Sequence, residues 1–109
     1  MEQIRHRQGD LLFTKVDGIP SDVRTKPRKN GIIAEGEVTG HMHEIVDWSP
    51  SGGVAVLDNV EDDGEMFVTA KKNTVVTHPE HADIALEEGT WHVQRQREYT
   101  PEEIRRVVD

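Results

Sequence analysis

The sequence predicts a mostly β protein, a small antiparallel barrel or sandwich with a short C-terminal helix. Three observations carry that prediction. Short runs rich in β-branched and aromatic residues recur at intervals of roughly 8–12 residues, divided by turn signals. Only the last ten residues change character, opening on a capping sequence and an apolar stripe. Hydrophobic residues make up 34% of the chain and charged residues 31%, which suits a small core under a heavily solvated surface.

Each element follows from its residues. "DLLFTKV" (10–16) reads as the first strand. "DGIPSDVRTKPRKNG" (17–31) has two prolines, two glycines and no hydrophobic period, so it reads as a long basic loop. "GIIAEGEV" (31–38) and "HMHEIVDW" (41–48) form a strand pair about Thr39-Gly40. "SPSGG" is a turn. "VAVLDN" (54–59) and "EMFVTAKK" (65–72) flank the acidic, glycine-ended turn "VEDDG", a hairpin pattern. "NTVVTH" (73–78) and "ADIAL" (82–86) flank a His-Pro-Glu-His corner. "TWHVQRQREY" (90–99) is the longest strand, with Trp91, Val93 and Tyr99 on one face. Residues 100–109 start a helix, with Thr100 as N-cap, Pro101 at the first position and Glu103 closing the capping box. Its stripe of Ile104, Val107 and Val108 needs a cover, from the sheet or from a neighbouring subunit, so a homodimer is one arrangement it allows.

A chain of 109 residues makes one domain, 1–109. It has no cysteine, which excludes a disulfide framework, a thiol nucleophile and thiolate metal sites. The polar start and the lack of long apolar runs read as a soluble, cytoplasmic protein. Net charge is −8, concentrated in residues 31–94, which hold thirteen acids and two lysines. That disfavours nucleic acid as a partner, because the middle of the chain repels phosphate.

The chemistry-bearing feature is "GHMHEIVD". In a strand, residues i and i+2 share a face, so His41 and His43 present two imidazoles side by side, with Asp47 on the same face. His78 and His81 bracket a corner, a spacing that turns one imidazole inward and leaves the other out. His41, His43, Asp47 and His78 or His81 therefore form a candidate set for a divalent transition metal such as Zn, Fe, Mn or Ni. The alternative is a metal-free histidine hydrogen-bond network. His6 and His92 read as ordinary.

The stretch from Gly36 through His41-x-His43 and Asp47 to Gly53 resembles the first motif of the cupins. Each gap equals the family's or is one residue short, and Asp47 stands where cupins have Glu. The second cupin motif is missing; only His78 or His81 lies at a plausible distance for its histidine. This resemblance implies a small β-barrel with a metal in its mouth. "QGDLLFTKV", "AEGEVTGHMHEI", "HPEHADIALEEGTWHVQRQREY" and "PEEIRRVVD" are also similar to a family of small uncharacterised proteins of bacteria and their phages, which implies a cytoplasmic setting and supplies no catalytic residues.

Other chemistries are weakly represented. There is no phosphate loop ending in Lys-Ser/Thr and no G-x-S-x-G elbow. Asp62-Asp63 and Glu87-Glu88 read as solvated turn residues. "RTKPRK" (24–29) reads as an exposed basic loop. Arg95 and Arg97 alternate onto the Trp91 face, where ion pairing with the acidic middle segment is the favoured role. The expectation is a metal- or small-ligand-binding module with a histidine cluster, and no catalytic set is assigned. The competing expectation is a non-enzymatic accessory factor that docks a protein partner through its acidic surface or C-terminal helix.

Overall fold

A computed structural model describes residues 3–35, 42–62 and 64–95. The expected C-terminal helix, Tyr99, Arg97 and His41 lie outside the described residues. The strands are β1 (Arg5–Gln8), β2 (Leu11–Val16), β3 (Thr25–Pro27), β4 (Ile32–Glu35), β5 (Met42–Ile45), β6 (Ala55–Asn59), β7 (Glu65–Ala70), β8 (Thr74–His78), β9 (His81–Leu86) and β10 (Gly89–Arg95). They form two sheets, ordered β1-β2-β10-β7-β6-β3 and β4-β5-β8-β9. Every pairing is antiparallel. The chain adopts the mostly β class read from the sequence as a barrel or sandwich, in the form of two antiparallel sheets. No helix among the described residues is long and apolar enough to cross a membrane.

One face of each sheet supplies the core. Leu11, Phe13, Val56, Met66, Val68, Trp91 and Val93 from the larger sheet cluster with Ile33, Ile45, Val76 and Leu86 from the smaller. Alternation decides who enters. Trp91 and Val93 are fully buried, while His92 and Gln94 between and beyond them face the other way.

Two elements depart from the sequence reading. β1 precedes the strand expected to be first and pairs with it through the two-residue turn Gly9-Asp10. It escaped notice because its inward residues are polar: Gln8 is 2% exposed and His6 half-buried, while Arg5 and Arg7 face solvent. The loop 17–31 also contains the short edge strand β3, paired with β6. The connection must be long because β2 and β3 stand four strand positions apart, about 19 Å at normal strand spacing.

Side chains link the sheets along both sides. On the β3/β4 side, Arg28 donates from Nε to Asp58 at 2.8 Å and from one terminal nitrogen to the Ile32 and Ile33 carbonyls at 2.6 and 2.7 Å. On the β1/β9 side, Gln8 Nε2 donates to the Val76 and Ala82 carbonyls at 3.0 and 2.9 Å. The β8–β9 register shifts between Val76 and His78. Such a bulge takes carbonyls out of the regular ladder, and Gln8 satisfies two on these strands.

Candidate functional site

His43 enters the interior because β5 alternates. Ile45 and His43 are buried and Glu44 is exposed. An imidazole that is 4% exposed requires a partner, since an unpaired buried polar group costs about 1–3 kcal/mol. The partner is Gln8, whose Oε1 lies 2.8 Å from His43 Nδ1. Both donors of the Gln8 amide are already committed to backbone carbonyls, so Oε1 can only accept. His43 therefore carries its proton on Nδ1. Burial, and secondarily the neighbouring His78, lower its pKa to about 4. The ring is neutral near pH 7, and Nε2 presents a bare lone pair.

That lone pair faces a carboxylate. Asp10 Oδ1 lies 3.6 Å from His43 Nε2, and Asp10 Oδ2 lies 3.0 Å from Arg95 Nε. The turn that reverses β1 into β2 places Asp10 there. Gly9 has φ +59, and a Cβ on it would sit 2.9 Å from His81 Nε2 and 3.4 Å from His43 Cε1. The turn thus packs against the imidazoles as only glycine can.

The corner His78-Pro79-Glu80-His81 adds two rings. His43 and His78 have centroids 4.4 Å apart, and His78 and His81 4.6 Å apart, with the planes tilted by 43° and 42°. His78 is half-buried and His81 exposed, as the three-residue spacing implies. The Glu80 backbone N–H donates to His78 Nδ1 at 3.0 Å. A neutral His78 then holds its proton on Nε2, so this ring offers no lone pair toward His43. Among the described residues, no three His, Asp or Glu side chains form a group that could hold a metal ion.

The residues named from the sequence thus divide. His43, His78 and His81 come together at one end of the sandwich, and His41 lies outside the described residues. Asp47 is exposed in the turn after β5, because the strand ends at Ile45 and alternation no longer applies. The carboxylate facing His43 is Asp10 instead. Sequence reasoning missed Asp10 and Gln8; the available signal was "QGD", a Gly-Asp pair that reads as a tight hairpin turn. Arg95 forms an ion pair as expected of it, and the partner shown is Asp10, which lies outside the acidic middle segment. His6 and His92 pair with Glu87 and Glu65.

A family model described as a domain of unknown function (DUF8820) matches residues 7–96. No curated protein and no solved structure matches the chain.

Proposed function

The chain belongs to the DUF8820 family of domains of unknown function, and we propose that it is a binding module for a divalent transition metal, anchored by His43 Nε2 and Asp10. The observation that carries this reading is the fixed tautomer of His43. Gln8 holds Nδ1–H, as the outer partner of a metal-binding histidine does, and leaves Nε2 as the donor. Two electron-pair donors then face each other at 3.6 Å. Ligands about 2.0–2.2 Å from one metal, at angles between tetrahedral and trigonal, stand about 3.3–3.8 Å apart. A cation between them would relieve the repulsion of lone pair and carboxylate.

A pair of ligands is half a site. Solvent or residues outside the described set would complete it, and His41 is the first choice from its spacing. His78 joins only if its Nδ1 gives up the Glu80 N–H, and His81, with Nε2 close to Gly9, stands nearest the solvent side. A low proton affinity at His43 helps, because a metal competes with protons for imidazole. Protons enter that competition at His43 only as pH approaches about 4.

The test is elemental analysis of untagged protein, followed by zinc titration by calorimetry. About one metal per chain is expected. His43→Asn keeps a donor to Gln8 but removes the Nε2 ligand, so it should fold and lose zinc affinity by about tenfold or more; Asp10→Asn should do the same. Metal-free protein that shows no heat and no thermal shift with Zn, Mn, Fe or Ni would sink the reading.

A further inference from the structure

The basic string at 24–29 plays no part in the histidine site, and its position in the fold gives it another use. β3 and its link to β4 form one wall of an open cleft of about 1090 Å³. The same cleft reaches Arg95 and Leu11, which follow Asp10 in the ion pair and in the chain, so it opens at the His43 end of the sandwich.

Its lining has two parts. Pro27, Ile32 and Ala34, none of them fully buried, show it an apolar surface. Lys26 and Lys29 line the same cleft and are exposed, and Arg95 also borders it. Arg28 also lines the cleft, but its guanidinium is used by Asp58 and two backbone carbonyls. Asp58 is thereby neutralised. Asp62, the other acid of the wall, accepts the Gly64 N–H at 3.0 Å. Lys26 and Lys29 form no ion pair among the described residues.

Charge makes this arrangement informative. A chain with net charge −8 repels anions at long range, yet four of its thirteen Lys and Arg residues border one concavity. Apolar and cationic side chains that line one concavity together are the pattern of a small-ligand site rather than of a solvated face. We infer that the cleft binds a small organic anion, with its apolar body on Pro27, Ile32 and Ala34 and its carboxylate, sulfonate or phosphate group at Lys26 and Lys29.

Two fluorescent probes of nearly the same shape test this. Anilinonaphthalene sulfonate carries the anion, and N-phenylnaphthylamine is its uncharged counterpart. Both are titrated in EDTA, so the result does not depend on metal at His43. One saturable site for the sulfonate is expected. The double variant Lys26→Glu/Lys29→Glu should weaken the sulfonate at least about fivefold, since two exposed charges are reversed, and leave the neutral probe within about twofold. Both lysines are exposed, and near-UV circular dichroism checks that the variant keeps its packing. Absence of a saturable site, or equal losses for the two probes, or no loss for either, would overturn the inference.

Discussion

Gln8 uses its whole side chain. Two N–H groups serve the Val76 and Ala82 carbonyls, and the oxygen serves His43 Nδ1. Gln8→Leu matches its size but leaves three buried groups unpaired. A loss of about 3 kcal/mol in urea unfolding is expected; a loss below about 1 kcal/mol would mean that water replaces the amide. His43 adds a pH effect. Its folded pKa, about 4, is below the ordinary 6.5, because burial disfavours the cation. Between those values the unfolded chain binds a proton that the folded chain refuses, so stability falls as pH drops from 6.5 toward 4. The total is about 3 kcal/mol. Glu65 and Glu87, whose pKa values are lowered chiefly by side-chain hydrogen bonds from Asn59 and His6, also lose stabilisation on acidification, below the ordinary glutamate range. Subtracting the pH profile of His43→Asn isolates the histidine. Parallel profiles in EDTA would contradict the assigned burial effect. At this scale the sequence was half legible. His43 stands out by its H-x-H spacing, whereas Gln8 and Asp10 are typical surface residues whose roles arise only when β1 meets β8 and β9.

Among elements, legibility followed the source of burial. β2 and β10 bury apolar side chains at alternate positions, and β7 does so at Met66, Val68 and Ala70 with Phe67 buried as well, so a period of two is visible in one dimension. β1 buries Gln8, and β3 contains Pro27 at a sheet edge, so neither carries that pattern. Asp47 was misplaced for a related reason: alternation assigns a face only while the strand lasts. The β1–β2 turn ties these elements to the site. Gly9→Ala forces a side chain onto a left-handed backbone and against His81. A destabilisation of about 1–2 kcal/mol is expected, from the backbone strain and the crowding together. The His81 Cε1–H proton resonance should move, while that of His92, held by Glu65 on the opposite face of the larger sheet, should not. An unchanged His81 resonance would show that the turn does not set its position.

For the whole molecule, the two polar seams close one core from opposite edges. Gln8 fastens β1 to β8 and β9, and Arg28 fastens β3 and the β6 residue Asp58 to β4. The seams share no hydrogen-bonding partner, and the apolar cluster between them is continuous across both sheets. If that cluster makes the sandwich one cooperative unit, damage at each seam lowers the same global stability. Arg28→Lys keeps the charge but cannot serve three acceptors from one planar fork, and should cost about 1–2 kcal/mol. Combined with Gln8→Leu, the losses should add within about 0.5 kcal/mol, because neither substitution alters the other's partners. The urea m-value should stay that of the unaltered chain, since the same surface is exposed when all of it unfolds. A double variant that loses much less than the sum, or whose m-value drops, would indicate that one seam opens before the core does and that the two sheets melt separately. The histidine site lies on the Gln8 seam and the basic cleft beside the Arg28 seam. Additivity would therefore also mean that neither site is built on a part of the sandwich that opens by itself.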